Sequence, residues 1–366
     1  MVFNAKNKKW ELRSGREKAL RVLIRGEISR ALLPNSPDYP NILSYFILPT
    51  DAVILPYYCD PFKDMDYNFC RKNNIEVVRI PGGGGPYWLD SGSLLSGYSF
   101  RLSDVPDFPS DINETYKIII PEIAKTLSSK FNIPFTYRPL NDLEVYGKKI
   151  SGATHINDGK VFRAAYGPQV KEPKLDVMGK AIPPPPEKFA DKEAKSVGER
   201  IGWIEKFVKR EISMEEVAEA YIDAYKKIFD VEATPGDLIE QEKKMIEEYE
   251  KMLTSEDWIL AMSEQKRFKD IPSDAKKGES IIKIPQGPLI RVTAFKKGDK
   301  IYDINITGSI HCTPFNLVEK MVASLRGVNV NEGEIRARVE AAFKEGSIGG
   351  IKPEDFVAVI MKALKD

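Results

Sequence analysis

Short runs of apolar positions along the first part of the chain predict strands. Residues 1–30 mix basic and apolar positions in a way that predicts a strand followed by an amphipathic helix. Residues 45–56, YFILPTDAVILP, join two apolar runs through a turn, and residues 75–80, IEVVRI, are rich in β-branched side chains. Both segments favour strands, so the four glycines at 82–85 follow a strand.

Helical spacing of apolar positions dominates two later stretches. Residues 111–131 predict a surface helix, with Pro121 at a kink or in the first turn. A serine capping box predicts a helix over 213–229. At 234–235 a capping threonine precedes a proline, which is typical of the start of a helix. This predicts that the charged segment DLIEQEKKMIEEYEKML opens there as a second helix, and that this helix links two domains.

The remaining patterns predict a hairpin and a separate C-terminal unit. Residues 134–147 and 148–156 read as two strands divided by a Tyr-Gly turn, which puts Lys149 at the start of a strand. Prolines at 183–186 indicate a linker or an edge loop. From about residue 255 onward the chain predicts a small α+β unit, with a hairpin whose turn is KKGDK and three amphipathic helices at 315–327, 332–346 and 353–366.

Composition and charge narrow the function classes. With 366 residues, 42% apolar and 30% charged, the chain is long enough for two domains and resembles a soluble globular protein. Its 55 basic and 54 acidic side chains give a net charge of +1, so no global field favours nucleic acid or an anionic membrane. No stretch reads as a membrane span or a signal peptide, and three irregularly spaced cysteines predict buried thiols in a cytoplasmic protein.

The glycine run at 82–85 is a candidate ligand loop. Glycine lets a backbone take positive φ or approach a ligand closely, and its exposed amides then face a phosphate or a carboxylate. A flexible turn explains the run alone equally well. The run is neither a Walker loop nor a GxGxxG fingerprint, because neither Gly-Lys-Ser/Thr nor an immediate helix follows it.

The segment NDLEVYGKKISGAT at 141–154 carries the most chemistry. It pairs Asn141-Asp142 with Lys148-Lys149 and then places small residues. A fixed ammonium stabilises charge that grows on a phosphate or an acyl oxygen, and an acidic residue can hold the magnesium that accompanies ATP. These are the parts that an adenylating site requires. For a lysine pair taken alone, a charged hairpin tip in water is the better interpretation.

Together the two segments resemble the lipoate-protein ligase family, part of a wider group that includes biotin ligases and octanoyl transferases. In that family an arginine pair, a serine and three glycines precede a His-Asp pair, and an Asn-Asp pair precedes Lys-Ile/Val-Ser-Gly. The matching residues are Arg79, Gly83, Gly84, Gly85 and Asp90 in the first block and Asn141, Asp142, Lys149, Ser151 and Gly152 in the second. The resemblance covers nearly the whole chain, including SEDWI at 255–259.

The resemblance implies an α+β fold of the class II synthetase-like, biotin/lipoate-ligase type, with a mixed sheet flanked by helices and a small α+β accessory domain. It places a catalytic, adenylating domain at 1–250 and the accessory domain at 251–366. It implies an ATP-dependent lipoate-protein ligase that forms lipoyl-AMP and passes the acyl group to a lysine of a lipoyl-carrier protein domain. ATP, Mg²⁺ and lipoate are the implied small molecules, and neither nucleic acid nor a membrane is an expected partner.

The implied site centres on Lys149, which would contact the α-phosphate and the acyl oxygen in both steps. Asp142 is the candidate for Mg²⁺ or the nucleotide, and Asn141 is a turn residue rather than a ligand. The residues implied to bind ATP or the adenylate are Gly83, Gly84, Gly85, Asp142, Lys149, Ser151, Gly152 and Ala153. Those implied to bind lipoate are Arg79, Gly82, Gly83 and Gly84.

The chain departs from the family pattern at several positions. Ile80 replaces the second arginine, Gly82 the serine, Leu89 the histidine, Ser93 an asparagine, and Tyr166-Gly167-Pro168 the His-Gly-Thr segment. Lys160 and Arg163 are the candidates for a basic residue that the family carries after the lysine strand. These departures leave open a different acyl group, a different acceptor or the loss of one step.

The departures also keep alternative functions open. One is a non-catalytic paralogue that binds lipoate or a lipoyl domain. An octanoyl transferase ranks lower, because the cysteine it needs downstream of the lysine block could only be Cys312, in the accessory domain. A biotin ligase is disfavoured as well, because the basic, glycine-rich loop that closes over biotinyl-adenylate in that group is missing from this sequence. His311, beside Cys312, is interpreted as structural, as is His155, although His155 could approach an adenylate.

Overall fold

The computed structural model describes residues 3–5, 8–183, 197–285 and 287–365. Its strands are β1 Trp10–Arg16, β2 Asn41–Ile47, β3 Ala52–Pro56, β4 Glu76–Ile80, β5 Tyr87–Leu89, β6 Leu94–Arg101, β7 Phe135–Arg138, β8 Asp142–Val145, β9 Lys148–Asn157, β10 Val161–Tyr166, β11 Thr234–Pro235, β12 Lys276–Lys283, β13 Leu289–Lys297, β14 Lys300–Gly308, β15 Cys312–Thr313 and β16 Ser347–Ile348. Its helices are α1 Ala19–Leu32, α2 Tyr67–Lys72, α3 Ile112–Phe131, α4 Leu175–Ala181, α5 Val197–Arg200, α6 Ile204–Val208, α7 Met214–Phe229, α8 Glu240–Thr254, α9 Glu256–Ile259, α10 Glu264–Arg267, α11 Leu317–Leu325, α12 Glu332–Glu345 and α13 Pro353–Lys365, with a 3-10 turn at Leu102–Asp104.

An eight-stranded mixed sheet is the scaffold of the N-terminal part. Its strand order is β11-β1-β2-β6-β10-β9-β8-β7. β1 pairs in parallel with β2 and β11, and the other neighbours are antiparallel. Helices cover the sheet, so the predicted mixed sheet flanked by helices is confirmed. A second sheet, β4-β3-β5, carries the glycine run between β4 and β5.

The side chains of the central strands point alternately into the helical layers on the two faces of the sheet. In β2, Leu43 packs in the core that α3 and α7 cover, whereas Ile42 and Phe46 face α1. This alternation is the period of two expected for a strand that is buried on both faces. The site strands β9 and β10 therefore lie in the middle of a sheet that is packed on both sides.

The Thr-Pro pair at 234–235 does not open a helix, so that prediction is wrong. These two residues form β11, alongside Glu11 and Leu12 of β1. α8 begins only at Glu240, and the Glu242 side chain accepts a hydrogen bond from the Ile239 amide at 2.8 Å. Backbone pairing with β1 thus outweighs the local helix signal. α8 packs along α1.

The other element predictions are largely confirmed. β1 and α1 occupy the first predicted strand and helix, α3 and α7 the two predicted later, and the Tyr-Gly turn separates β8 from β9. Pro121 lies inside α3, beyond its first turn. β12 has no counterpart among the predicted strands. Prolines 184–186 lie outside the described residues.

The C-terminal part has a hydrophobic core of its own. The sheet β12-β13-β14 packs against α13 and α11, and α12 packs between those helices. The loop after β3 joins this part to the rest, because Tyr58 donates to the Phe315 carbonyl at 2.7 Å and Asp64 accepts from Arg291 at 2.6 Å. Among the described helices, none pairs sufficient length with the apolar character needed to cross a bilayer.

Candidate active site

The hairpin of β8 and β9 carries the candidate lysine. Its turn residues, Tyr146 and Gly147, have φ values of 48° and 73°. Lys149 is the second residue of β9, and its Nζ lies 2.6 Å from Oδ1 of Asp142 on the neighbouring strand. A Cβ on Gly152 would lie 3.0 Å from that Nζ, so a larger residue would crowd the ammonium. The lysine side chain is 42% exposed, which leaves it oriented but open to solvent.

The two lysines of the hairpin face different groups. Lys148 donates through Nζ to the backbone carbonyl of Glu199. The backbone carbonyl of Lys149 accepts from the Gly202 amide at 2.9 Å, which fastens the start of β9. Lys149 alone of the pair meets Asp142, and it is the lysine that the resemblance selects.

The glycine run packs tightly against β9. Oγ1 of Thr154 donates to the carbonyl of Gly83 at 2.9 Å. A Cβ on Gly82 would lie 2.8 Å from that Oγ1, and a Cβ on Gly83 would lie 2.7 Å from Cα of His311. Real Cβ atoms do not approach so closely, so a side chain at Gly82 would displace the Thr154 hydroxyl and one at Gly83 would displace the backbone of His311. The run is a close-packed connection and not a free turn.

A segment of the C-terminal part covers the outer side of this run. Gly84 has a φ of 110°, which favours glycine, and its amide donates to the carbonyl of Ile310 at 3.0 Å. Gly85 ends the run and is half-buried. The strand β9 and the segment beginning at Ile310 thus hold the glycines from opposite sides.

A tyrosine links the two histidines of the chain. The hydroxyl of Tyr116 lies 3.0 Å from Nδ1 of His155 and 3.2 Å from Nδ1 of His311. Nε2 of His155 lies 3.2 Å from Oγ1 of Thr313, and Nε2 of His311 lies 3.4 Å from Nδ2 of Asn141. This hydrogen-bond chain ties α3 and β9 to the C-terminal part, beside the lysine hairpin.

Both imidazoles are neutral at neutral pH. Burial lowers the pKa of His311 to about 4, while the Asp142 carboxylate raises it in part and the Lys149 ammonium lowers it further. Burial, and then the charge of His311, lowers the pKa of His155 well below its ordinary value. A neutral imidazole can accept a hydrogen bond, so each ring can take part in the Tyr116 chain.

Ser151 and Ala153 support the hairpin from within. Ala153 is buried in the main core, and it exchanges two hydrogen bonds with Asn141, of 3.0 Å between the Ala153 amide and the Asn141 carbonyl and 2.6 Å between Asn141 Nδ2 and the Ala153 carbonyl. Ser151 is buried and donates to the carbonyl of Gly152 at 3.3 Å. Asn141 is thus a residue that closes the turn, as predicted.

Arg79 lies apart from the lysine. Its guanidinium is fully buried and donates to four backbone carbonyls, those of Pro56, Tyr57, Cys59 and Ile259, at 2.5 to 3.3 Å. The indole of Trp258 donates to the Arg79 carbonyl at 2.9 Å. Burial lowers the pKa of Arg79 to about 10. These contacts tie the SEDWI segment to β4, and they occupy the donors that the resemblance assigns to lipoate.

Asp90 organises the turn after β5. Its carboxylate accepts from the Trp88 indole at 2.9 Å, from the Gly92 amide at 2.9 Å and from the Lys174 amide at 3.1 Å. Ser93, where the family has asparagine, donates to Oε1 of Gln169 at 2.9 Å. The turn is therefore satisfied internally despite the substitution.

Two further residues lie away from the lysine. Tyr166 is buried in the main core against Tyr98 and Tyr225. Arg163 is buried on β10, beneath α1, and pairs with Glu27 at 2.6 Å. Arg163 is one of the two candidates for a basic residue after the lysine strand, and the sheet turns its side chain towards α1 and not towards the lysine hairpin.

Sequence reasoning missed the contribution of the C-terminal part. Neither His311 nor Tyr116 stood out as a site residue, and the histidine was interpreted from its immediate neighbours alone. Among the described residues, no group of three or more His, Cys, Asp or Glu side chains gathers to hold a metal ion. Asp142 is the carboxylate that lies beside Lys149.

A known protein family matches the part of the chain that carries this site. The family model described as lipoyl protein ligase A/B catalytic domain matches residues 27–226, which include the glycine run and the lysine hairpin. The chain belongs to this family. The predicted relationship to lipoate-protein ligases is thereby confirmed.

Relatives in the family fall into two classes by name. Lipoate-protein ligase A subunit 1 of Thermoplasma acidophilum is 27% identical over 221 residues, 58% of this chain and 81% of its own length. A lipoate–protein ligase of Streptococcus pyogenes is 28% identical over 229 residues, 59% of this chain and 62% of its own length, so the match spans less than two thirds of that relative. An octanoyltransferase LipM of Carboxydothermus hydrogenoformans is 24% identical over 229 residues, 56% of this chain and 80% of its own length.

Two solved structures share the fold of this chain. The P. falciparum protein LipL1, solved in complex with lipoate, is similar over 97% of this chain and 99% of its own, with a TM-score of 0.68 and 15% identity. A lipoate-protein ligase A bound with ATP is similar over 69% of this chain and 98% of its own, with a TM-score of 0.57 and 19% identity. The similarity to LipL1 therefore extends over the C-terminal part as well.

Proposed function

We propose that this protein is an ATP-dependent ligase that activates lipoate, or a similar acyl acid, as an acyl-adenylate and transfers the acyl group to a lysine of a lipoyl-carrier protein domain. The observation that supports this most is the solvent-reachable Lys149, held by Asp142 on a hairpin next to the glycine run. Membership of the family and relatives named as lipoate-protein ligases give the reaction class.

In the first step, a carboxylate oxygen of the acid attacks the α-phosphorus of ATP, and the bond from that phosphorus to the bridging oxygen breaks to release pyrophosphate. Negative charge grows on the α-phosphate oxygens. The Lys149 ammonium stabilises that charge, and Asp142 keeps the ammonium in place. In the second step the acceptor amine attacks the acyl carbon and AMP leaves, with the same ammonium near the acyl oxygen.

Magnesium fits this scheme as a companion of ATP. Mg²⁺ is usually bound through one or two carboxylates together with substrate phosphates. Asp142 supplies one carboxylate beside Lys149, and its side chain is 19% exposed. Asp142 would hold the ion, which supplies charge neutralisation on the phosphates. A solved relative contains ATP, which supports the same nucleotide here.

The two parts of the chain suit the two half-reactions. We assign the adenylating domain to residues 1–250 and the accessory domain to residues 251–366. Support comes from the separate hydrophobic cores of the two parts and from the cover that the segment at 310–313 places over the glycine run. Ligand contact along Gly83 requires that this cover moves, because the space beside Gly83 is filled by His311.

The test uses the whole chain with ATP, Mg²⁺, lipoate and a lipoyl domain. Pyrophosphate release and a mass gain of one lipoyl group on the domain are expected. Lys149→Ala is expected to lower the rate of both by at least about a hundredfold. Lys148→Ala is the matched control, since its ammonium contacts a backbone carbonyl instead of Asp142, and it should retain most activity.

Octanoyl transfer is the second candidate, because an octanoyltransferase is among the relatives. That reaction uses a reactive thiolate, which needs a low pKa and access to solvent. All three cysteines are buried, and burial raises the pKa of Cys312 to about 11 and that of Cys70 to about 12. Acyl transfer from an octanoylated carrier without ATP, abolished in a variant lacking all three cysteines, would favour this second function over the ligase.

A non-catalytic binding protein is the third reading. Calorimetry with lipoate and with the lipoyl domain separates it from the ligase. Affinity without pyrophosphate release, and without any difference between the chain and its Lys149→Ala variant, would establish a binder and overturn the ligase proposal.

A further inference from the structure

The tip of the lysine hairpin exposes an aromatic side chain. Tyr146 is 66% exposed, and the centre of its ring lies 5.7 Å from the centre of the Phe207 ring. Its φ of 48° is a left-handed value that tight turns normally give to glycine, asparagine or aspartate. A tyrosine is disfavoured at such a position, and burial of the ring does not compensate for it here. The exposed ring therefore requires an explanation other than folding.

The segment that packs against the hairpin carries two more aromatic side chains. A Cβ on Gly202 would lie 2.7 Å from Cε2 of Phe207 and 2.9 Å from Cβ of Lys148, so the phenyl ring lies close to the lysine stem. Nζ of Lys206 lies 4.5 Å from the centre of the Trp203 ring. Both rings are only half-buried, and Lys206 is exposed. Aromatic surface is thus left partly open to solvent beside the hairpin tip.

This segment is attached to the candidate catalytic lysine. The Gly202 amide donates to the Lys149 carbonyl at 2.9 Å, and Ile201 pairs with Lys149 as a parallel bridge. Tyr146 is three residues from Lys149, which is about 10 Å at the rise of a strand. A protein whose lysine reaches Lys149 therefore brings its own surface onto a hairpin-tip surface that consists of Tyr146, Lys148, Trp203, Lys206, Phe207 and Lys209.

The hairpin-tip surface has a surplus of positive charge. Within the described ranges of the chain, no carboxylate pairs with its three lysines, and Nζ of Lys148 donates to a backbone carbonyl. Glu205, on the same helix as Lys206, has its carboxylate 3.8 Å from Lys171 instead. Four cations, Lys148, Arg200, Lys206 and Lys209, outnumber the two carboxylates that border the surface, Glu199 and Glu211. Such a surface is complementary to an acidic partner.

We propose that the hairpin-tip surface docks the acceptor protein, and that it selects an acceptor with carboxylates beside the lysine that is modified. The inference rests on the proposed ligase function, which brings the acceptor lysine to Lys149. Tyrosine and tryptophan are among the residues that most often carry the binding energy of a protein interface. Charge complementarity adds to this by favouring encounter with the right partner. The acceptor is then recognised by residues other than those that bind ATP and the acyl acid.

The test measures adenylation and transfer separately, with the whole chain, ATP, Mg²⁺ and lipoate. Hydroxylamine, a small nucleophile that needs no docking, traps the acyl-adenylate as a hydroxamate. A lipoyl domain with carboxylates beside its lysine gives kcat and KM for transfer. Tyr146→Asn, which suits the left-handed turn, and Lys206→Glu should each raise the KM for the domain by about tenfold. Both variants should form hydroxamate at the rate of the unmodified chain.

Two exposed residues outside the hairpin-tip surface provide matched controls. Tyr302→Asn removes an exposed tyrosine of β14, and Lys244→Glu reverses an exposed lysine of α8. Neither should change the KM for the domain. A second experiment needs no variant of this chain: changing the domain's flanking carboxylates to amides should raise its KM. That increase should be smaller with Lys206→Glu, because the two sets of charges are coupled.

The outcomes separate this inference from the proposed function. An unchanged KM for the domain in both Tyr146→Asn and Lys206→Glu, or an equal loss of hydroxamate and transfer, overturns the docking inference and leaves the ligase standing. A dimer that dissociates in Tyr146→Asn while the KM stays unchanged assigns the surface to a second copy of the chain, and also overturns it. If the unmodified chain forms no hydroxamate, the ligase proposal fails. Calorimetry with the lipoyl domain then decides the docking inference, by whether the two variants bind the domain more weakly.

Discussion

The ion pair between Lys149 and Asp142 positions the lysine ammonium but contributes little to the stability of the fold. The lysine side chain is 42% exposed and the aspartate 19%, so water screens their attraction. Partly exposed pairs of this kind contribute about 0–1 kcal/mol to folding. The same pair fixes an ammonium at a place where charge on a phosphate can be stabilised.

Replacing the aspartate separates the two effects. In Asp142→Asn the unfolding free energy should change by less than about 1 kcal/mol, since the pair is screened by solvent. The rate of acyl-adenylate formation should fall by about tenfold or more, since the ammonium loses its anchor. Thermal unfolding and pyrophosphate release measure the two quantities. Glu240→Gln, which breaks an exposed pair with Lys243 far from the hairpin, should alter neither.

The glycine at position 83 makes a similar prediction for packing. In Gly83→Ala the new Cβ would lie 2.7 Å from the Cα of His311, so the covering segment must shift. Overpacking of this kind costs about 1–3 kcal/mol. Gly179→Ala is the control, because nothing lies within 4 Å of a Cβ there, on helix α4. Denaturant unfolding of both variants checks the difference, and equal stabilities would show that the cover is not packed against Gly83.

Among the elements, those with a strong local signal were predictable from sequence. The capping serine of α7 accepts from the Glu216 amide at 3.0 Å, as its motif indicated. The helix start predicted at the Thr-Pro pair, 234–235, is wrong because these residues pair with β1, which is distant in sequence. β12 was missed because its exposed, lysine-rich ends dilute the alternation of apolar positions.

The buried pair between β1 and α8 gives a prediction at this scale. Glu242 is fully buried and accepts two hydrogen bonds from Arg13, at 2.7 and 2.8 Å, and one from Tyr39 at 2.6 Å. Glu242→Gln removes a buried carboxylate and leaves Glu11, at 2.9 Å, as the remaining anion beside Arg13, which should destabilise the protein by about 2 kcal/mol. Urea unfolding followed by circular dichroism measures this loss. The exposed Glu240→Gln, on the same helix, should cost less than about 0.5 kcal/mol.

For the whole molecule, the lysine hairpin was predictable from sequence but the completed site was not. Lys149, Asp142 and the turn between β8 and β9 are close in sequence, so their geometry follows from a local pattern. His311 meets Gly83 and Tyr116 only because the C-terminal part packs over the glycine run. No spacing rule connects residues so far apart, and a single histidine carries no local signal of its destination.

Because buried His311 and His155 lie where the C-terminal part packs over the glycine run, the packing of the two parts should weaken in acid. Burial holds the pKa of His311 at about 4, below its ordinary 6.5, and holds that of His155 lower as well. Below pH 6.5 the unfolded state, or the state in which the two parts are separated, therefore binds more protons than the folded state. The stability that the neutral imidazoles contribute is complete above 6.5 and is lost as the pH falls towards 4. For His311 the loss amounts to at most about 3 kcal/mol, at 1.36 kcal/mol for each pKa unit.

The groups that face His311 determine how this prediction is tested. Tyr116 and Asn141 contact the ring, and His155 stacks against it. Asp142 and Lys149 act on it by charge. Because carboxylates elsewhere also titrate in acid, the readout is the difference between the chain and His311→Gln, which has no ionisable group. Thermal unfolding of the variant should fall less steeply between pH 6.5 and 4, and adding His155→Gln should flatten it further. Parallel curves for all three proteins would mean that the histidines do not couple the two parts to pH.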